Sequence, residues 1–328
     1  MTGSNERALA AVAIGRNEGE RLVACLKSML RDVPTVIYVD SGSTDGSAEM
    51  AERLGARVVA LDMSKPFTAA RARNAGFDAL MSDAEPRFVQ FVDGDCEVEA
   101  GWLEAAQKFL EEREDVVLVA GRRRERFPAA TVFNRLCDIE WATKPGEAKA
   151  AGGDFLVRAD AFRSVNGFNQ ALIAGEEPEL CFRLRDKGWK IWRLDQPMTI
   201  HDAAMTHIRQ WWTRARRAGY AYANGFALHG KSPERFRRRE VMRSLLFGAV
   251  LPVVALSLGA FVSPWFFLFF LYYPVQTLRI FLTRNDIKEG RLAYAISCAA
   301  ARFPEAQGMM QFYRAQRAGR QETLIEYK

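Results

Sequence analysis

The chain has 328 residues, 49% of them hydrophobic and 26% charged, which suits one full-size α/β domain with something smaller beside it and excludes a disordered, collagenous or disulfide-framework protein. Its net charge of +6 is local, because residues 231–328 carry 15 Lys+Arg against 7 Asp+Glu while residues 1–230 carry 31 against 33. Cys25, Cys96, Cys137, Cys181 and Cys298 lie far apart, without Cys-x-x-Cys or zinc-finger spacing, so we expect reduced thiols in a reducing cytoplasm. The segment Met1 to Ala8 is too polar for a signal peptide.

Leu9 to Ile14 reads as a buried strand, and Asn17-Glu18-Gly19-Glu20 opens a helix with Leu22, Cys25, Leu26, Met29 and Leu30 at helical spacing. Val33 to Val39 predicts a second strand, Ser47 to Leu54 a helix, Ala56 to Leu61 a third strand and Thr68 to Met81 a helix. The apolar run Phe88 to Val92 is the fourth strand, and Gly101 to Glu112 and Val116 to Ala120 give the next helix and strand. Residues 121–150 are basic, then mixed, and carry no clear period. Ala151 to Val157 looks like a strand entered through the pair Gly152-Gly153, and Lys190 to Leu194 like another. Such alternation argues for βαβ units and a mostly parallel, doubly wound sheet with helices on both faces.

Two acidic turns would then share one sheet edge. Asp40-Ser41-Gly42-Ser43-Thr44-Asp45-Gly46 follows the second strand, and Asp93-Gly94-Asp95 ends the fourth. Open α/β sheets bind ligands at that edge. Carboxylates there suit Mg²⁺ or Mn²⁺ beside a diphosphate, although each taken alone is more often a plain turn or helix cap than a ligand site.

From Ser244 to Leu278 no residue is charged or a histidine. One straight helix of that length would reach roughly 52 Å, against a bilayer core of about 30 Å. Ser263-Pro264 breaks the run into spans near 244–262 and 265–282. Basic residues flank both ends, so the positive-inside rule puts both flanks in the cytoplasm and makes a hairpin. A buried core pair or an in-plane element is the alternative, since Pro252 and Pro274 interrupt both spans. Leu292 to Phe303 and Met309 to Arg320 read as amphipathic helices suited to an anionic leaflet. Upstream, Trp211, Trp212, Arg214, Arg216, Arg217, Tyr220 and Tyr222 form an aromatic and cationic stretch. It is expected both to seat the protein at a membrane interface and to receive a lipid-linked acceptor; nucleic acid is the third and poorer reading, because the basic residues adjoin an uncharged span.

The first 220 or so residues resemble glycosyltransferase family 2, of the GT-A fold. The resemblance is carried in order by Ala13-Ile14-Gly15-Arg16-Asn17-Glu18, Val39-Asp40-Ser41-Gly42-Ser43-Thr44-Asp45-Gly46, Ala72-Arg73-Asn74-Ala75-Gly76, Val92-Asp93-Gly94-Asp95, Val165-Asn166-Gly167-Phe168 and Gly175 to Leu184. It implies that Asp40 contacts the nucleotide base, that Ile14, Arg16 and Glu18 line the same pocket, and that Arg73 and Asn74 seat the nucleotide. Asp93, with Gly94 beside it, would face the ribose and sugar, and Asp95 would coordinate the divalent metal. Ser41 and Arg16 depart from the family's usual aspartate and tyrosine, which leaves the base open. Glu176-Glu177 aligns with the family's Glu-Asp pair, whose second member resembles the catalytic base, so Glu177 takes that role; an acidic helix N-terminus is the plainer account of the pair. Related enzymes often bring a histidine from the region of His201-Asp202 to the metal, with His207 as competitor. Gln210-Trp211-Trp212-Thr213-Arg214 has the wrong order for the Gln-x-x-Arg-Trp motif of processive members, so a single transfer is expected.

The sequence reading is therefore an inverting, metal-dependent enzyme. It would move a sugar from a nucleotide-sugar donor to a lipid-linked glycan at the cytoplasmic face of the inner membrane, in surface or exopolysaccharide synthesis. Transfer to polyprenyl phosphate is the near rival, and a noncatalytic membrane module that binds sugar nucleotides or glycans the distant one. The expected division is residues 1–230 for the transferase domain and 231–328 for the membrane-associated helices.

Overall fold

A computed structural model describes residues 9–83 and 85–319. Met1 to Ala8 and the helix end at Arg320 lie outside the described residues. The chain forms two units, residues 1–126 with 141–202, and residues 127–140 with 203–328. The division thus falls at residue 203 rather than 231, because the long helix before residue 230 packs with the C-terminal helices.

In the first unit the described strands are β1 (Leu9–Gly15), β2 (Val36–Asp40), β3 (Arg57–Ala60), β4 (Phe88–Asp93), β5 (Cys96–Val98), β6 (Val116–Glu125), β7 (Gly146–Ala148), β8 (Phe155–Arg158) and β9 (Lys190–His201). Its helices are α1 (Glu20–Leu30), α2 (Ser47–Leu54), α3 (Ala69–Asp83), α4 (Trp102–Glu112), α6 (Ala159–Ser164) and α7 (Glu176–Asp186), while α5 (Val132–Trp141) falls mainly in the second unit. The sheet runs β3-β2-β1-β4-β8-β6-β9-β5, with β7 on β9. It is parallel from β3 through β4, as the βαβ pattern demands, and mixed beyond, where β8 runs antiparallel to both β4 and β6. Strands β1, β2 and β4 are buried along almost their whole length, which is why they read as continuous apolar runs.

Helix α3 lies against β1 and β2. A methyl group on Gly76 would sit 2.4 Å from Val12 Cγ1 and 2.9 Å from Val39 Cγ2, so glycine lets the helix reach the sheet. Under β4, Phe91 meets Phe155, Phe162 and Phe168 with ring centroids 5.2–5.6 Å apart. Each such pair adds about 0.5–1.5 kcal/mol beyond its burial and stiffens the strand that carries Asp93.

Residues 121–150, unassigned from sequence, divide into the end of β6, helix α5 and strand β7. Strand β6 continues through Arg122, Arg123 and Arg124 because Arg122 to Glu125 pair with Pro197 to His201 of β9. Strand β9 likewise runs on past Leu194, so His201 ends a strand and is buried.

In the second unit α8 (Ile208–His229) packs on α13 (Arg302–Arg317). Added methyl groups at Gly219 and Gly308 would each lie 1.9 Å from a carbonyl of the facing helix, Glu305 and Arg216 respectively, so two glycines allow backbone-to-backbone approach. Trp211 and Tyr220 are buried, and Tyr220 meets Phe312 edge-on at 5.3 Å. Half of the aromatic stretch is therefore helix packing, leaving Trp212 exposed. Gln210 closes a capping box with His207 at the start of α8.

Helix α9 (Arg238–Leu245), one π-helical turn (Leu246–Val250) and α10 (Leu251–Phe261) run on as one 24-residue helix. After the break at Ser263, a 3₁₀ stretch (Pro264–Leu271) continues into α11 (Tyr272–Thr283), 20 residues in all. Both are long and apolar enough to cross a membrane. Their apolar side chains are exposed, Phe261 at 89% and Trp265 at 77%, which is not how the helices of a soluble core lie. α12 (Arg291–Ala300) and α13 then follow almost without interruption.

Candidate active site

The C-terminal ends of β1, β2 and β4 meet, as parallel register requires: Gly15 is opposite Asp40 and Ile14 opposite Asp93. Gly94 donates its N–H to Ile14 O at 2.8 Å, tying the Asp-Gly-Asp turn to β1. The loops after β1 and β2 are tied together through Asn17, whose N–H reaches Ser43 Oγ at 2.9 Å and whose Oδ1 accepts from Thr44 N at 2.8 Å. Asn17 needs a left-handed backbone (φ 56°) to do this, a conformation asparagine tolerates better than most residues. Asp40 accepts the N–H groups of Gly42 and Ser43 at 3.0 and 2.9 Å and the Tyr38 hydroxyl at 3.1 Å. Its carboxylate thus shapes the turn. Arg16 is exposed on the same edge, and Glu18 is paired with Arg21 at 2.7 Å.

Arg73, 3% exposed, links two acids. Its Nη2 lies 2.5 Å from Asp93 Oδ1 and its Nη1 2.9 Å from Glu176 Oε1, while its guanidinium sits 5.5 Å above the Phe168 ring. The start of α7 is therefore fastened to the end of β4 by one guanidinium. The neighbouring Asn74 is buried. Its amide exchanges two 2.9 Å hydrogen bonds with the Phe168 backbone, and Arg183, gripped by Glu179, donates to Gly167 O at 2.7 Å. The Val165-Asn166-Gly167-Phe168 and Gly175-to-Leu184 motifs are thereby one scaffold that aims α7.

Glu177 is buried behind Glu176. Its Oε1 accepts from Ala151 N at 2.6 Å and from the Cys181 thiol at 3.0 Å. Burial raises its pKa, against the lowering effect of the Cys181, Ala151 and Gly152 hydrogen bonds.

Asp95 and His201 come together across the β5–β9 pairing, with Asp95 Oδ2 at 3.1 Å from His201 Nε2. Burial, aided by nearby Arg123, pulls the His201 pKa down to about 4, so the imidazole is neutral at pH 7 and able to act as a ligand. Trp141 stacks on it at 4.7 Å. His207, the competing histidine, is the exposed cap of α8 in the other unit.

Three side chains that sequence reasoning passed over complete the cluster. Asp154, fully buried, accepts from Asp93 N at 3.1 Å and Thr199 Oγ1 at 2.8 Å, and its Oδ2 lies 2.7 Å from Arg123 Nη2. Arg123 also lies 5.5 Å from the Trp141 ring. The Gly152-Gly153-Asp154 run was the available signal, read only as a strand entry. Gly153 itself touches the site, since a methyl group there would be 2.6 Å from Asp93 Oδ2 and 3.2 Å from Nη2 of both Arg73 and Arg123.

Among the described residues, two groups of ligand-type atoms fall within 4.8 Å of one another, Asp95 with Cys96 and His201, and Asp93 with Cys96 and Asp154. Burial pushes the Cys96 thiol well up, so it stays protonated and is a poor ligand for hard cations. Asp93 and Asp154 already face Arg73 and Arg123. Asp95 and neutral His201, 3.1 Å apart, offer an oxygen and a nitrogen donor side by side. They fit Mn²⁺ or Mg²⁺, which take one or two protein groups and fill the remaining positions with phosphate oxygens and water.

Residues 12–161 match the family model "Glycosyl transferase family 2". Residues 12–161 are a glycosyltransferase family 2 domain. The chain is 26% identical over 278 residues to the pre-mycofactocin glycosyltransferase of Mycobacterium tuberculosis, covering 80% of this chain but only 56% of that protein. It is 26% identical over 240 residues to the succinoglycan biosynthesis protein ExoA of Rhizobium meliloti, covering 70% and 69%. Among solved structures, a mannosyltransferase from Pyrobaculum calidifontis, in complex with GDP-Man and Mn²⁺, superposes with a TM-score of 0.63 at 15% identity over 92% of this chain and 87% of that one. This last likeness confirms the GT-A fold of the family 2 domain. Asp93, Gly94 and Asp95 lie inside the matched segment; Glu177 and His201 lie beyond it.

Proposed function

We propose that this protein is an inverting, metal-dependent glycosyltransferase that moves a sugar from a nucleotide donor to a lipid-linked glycan in surface or exopolysaccharide synthesis. The single observation that carries the reading is the ion-paired chain Asp93–Arg73–Glu176, which fastens the donor-side carboxylates to the helix that bears Glu177. The donor's base would lie among Ile14, Arg16, Glu18 and Asp40, its ribose and sugar at Asp93 and Gly94. A divalent ion held by Asp95 and His201 would stabilise charge on the nucleoside diphosphate leaving group. The GDP-Man and Mn²⁺ bound by the Pyrobaculum mannosyltransferase support that assignment.

The acceptor hydroxyl attacks the anomeric carbon as the bond from that carbon to the diphosphate breaks, and its proton passes to a carboxylate on the opposite face. Of the two acids at the start of α7, Glu176 is held by Arg73 at 2.9 Å, so its carboxylate is engaged in the scaffold. Glu177 sits in a low-dielectric site that strengthens it, so Glu177 is the base. Arg123, braced by Asp154, offsets negative charge beside Asp93. Asn74 is a positioning residue for α7.

The exposed apolar helices and their basic flanks support residence at the inner face of the cytoplasmic membrane, with the transferase domain in the cytoplasm. The test is to incubate the full chain with labelled UDP-, GDP- or TDP-sugars, Mn²⁺ and a membrane lipid extract. Asp95→Ala and Glu177→Gln should each abolish label in lipid; near-normal turnover in either would overturn the scheme, and donor binding without consumption would favour a noncatalytic module. Product analysis separates a monophosphate-linked sugar, the mark of polyprenyl phosphate as acceptor, from an extended glycan.

A further inference from the structure

A second site lies in the helical unit. Arg243 on α9, Tyr272 and Gln276 on α11, Arg284 beyond it, Tyr294 on α12 and Arg302 at the head of α13 line a cavity of about 280 Å³. Three guanidiniums line it, those of Arg302, which is buried, and of Arg243 and Arg284. Arg302 is paired with Glu305 at 2.6 Å, in a buried cluster with Ser244. Arg284 is paired with Asp286 at 2.7 Å and donates to the Tyr294 hydroxyl at 2.9 Å. Arg243 has no carboxylate within ion-pairing distance and Gln276 no hydrogen-bond partner among the described residues. The wall is rigid: Tyr272 stacks on Phe247 at 4.0 Å with the rings 3° from parallel, and Phe247 belongs to the π-helical turn. Such turns recur at functional sites.

We propose that this cavity binds the phosphate head of a membrane lipid. An unpaired guanidinium, a primary amide and two phenols offer the donors that a phosphate's oxygens require. The position decides for a lipid over a soluble anion. Arg243 lies within the first long apolar helix and Tyr272, Gln276, Ile280 and Thr283 along the second, and basic pockets beside membrane helices are where anionic headgroups lodge. The inference rests on the membrane residence proposed above and is independent of the transferase chemistry.

The test uses the full chain in a neutral detergent and three probes: phosphatidate, diacylglycerol with the same tails, and inorganic phosphate. Phosphatidate should bind at least about tenfold more tightly than either of the others. Arg243→Gln should lose about that factor and Arg243→Lys should recover part of it, whereas Arg239→Gln, exposed like Arg243 on the same helix but outside the cavity, should bind as the parent does. Equal binding of diacylglycerol, equal binding of inorganic phosphate, or an unaffected Arg243→Gln variant would each overturn the proposal. Repeating the titration with polyprenyl monophosphate tells an acceptor-type lipid from a bulk phospholipid by which binds more tightly. Sugar transfer measured on the same preparations keeps the two claims apart: transfer without phosphatidate binding sinks only the cavity, and binding without transfer sinks only the enzyme.

Discussion

Arg73→Gln removes the one cation that joins Asp93 to Glu176. In the folded chain its guanidinium is 3% exposed and lies 2.5 and 2.9 Å from the two carboxylates, whose side chains are 29% and 12% exposed. Removing one member of a buried ion pair costs about 3–5 kcal/mol, because the partner keeps its desolvation penalty and loses its compensation. Water reaching Asp93 places the expected loss near the lower end, about 3 kcal/mol, since screened pairs contribute less. Arg73→Lys keeps the charge but not the two-armed fork, so it should fall between the two. Urea titration of the detergent-solubilised full chain reads the stability, and calorimetry with the nucleotide diphosphate and Mn²⁺ reads the site. Donor binding should weaken more than tenfold in Arg73→Gln. A variant within about 1 kcal/mol of the parent, with unchanged nucleotide affinity, would refute the claim that this guanidinium holds the site together.

Glu177→Gln should collapse kcat with little change in KM, whereas Glu176→Gln, which loosens Arg73, should act mainly on KM; steady-state kinetics of both variants separates base from support. Gly153→Ala pushes a methyl group to 2.6 Å from Asp93 Oδ2, and should cut transfer by at least about tenfold while costing only about 1–3 kcal/mol of stability. His201 is neutral in the fold, with its pKa pulled from 6.5 to about 4 by burial and Arg123. The unfolded chain therefore binds the proton first, and His201's contribution to stability, complete above about pH 6.5, is lost as pH falls toward 4. By pH 5 that loss is about 2 kcal/mol, and the denaturation midpoints of His201→Gln should show a correspondingly shallower fall between pH 8 and pH 5 than the parent.

In the parallel half of the sheet, β1, β2 and β4 were legible because each is buried along almost its whole length and reads as a continuous apolar run. Helix Ser47–Leu54 and the break at Ser263-Pro264 were read in place for local reasons, period and proline. The extension of β6 was not. Arg122, Arg123 and Arg124 carry no apolar alternation, and only pairing with β9 holds them extended. Arg123 and Asp154 went unseen because their roles exist only across 31 residues of chain, joined through a strand pairing that sequence spacing does not reveal. Trp141 was hidden likewise in a stretch without a period. The carboxylates at β4 and α7 were found, but their connection through Arg73 was not, since a guanidinium on a helix is more often solvated. Asp40 and Asn74, expected at the nucleotide, also hold local backbone, Asp40 through Gly42 and Ser43 and Asn74 through Phe168.

The central claim is that the acids ending β4 and Glu177 act on opposite faces of one anomeric carbon. The most direct measurement is the anomeric configuration, by NMR, of the lipid-linked product made from an α-configured nucleotide sugar in the presence of Mn²⁺. A β linkage is predicted. An α linkage, or product formed as readily by Asp95→Ala as by the parent, would contradict the account.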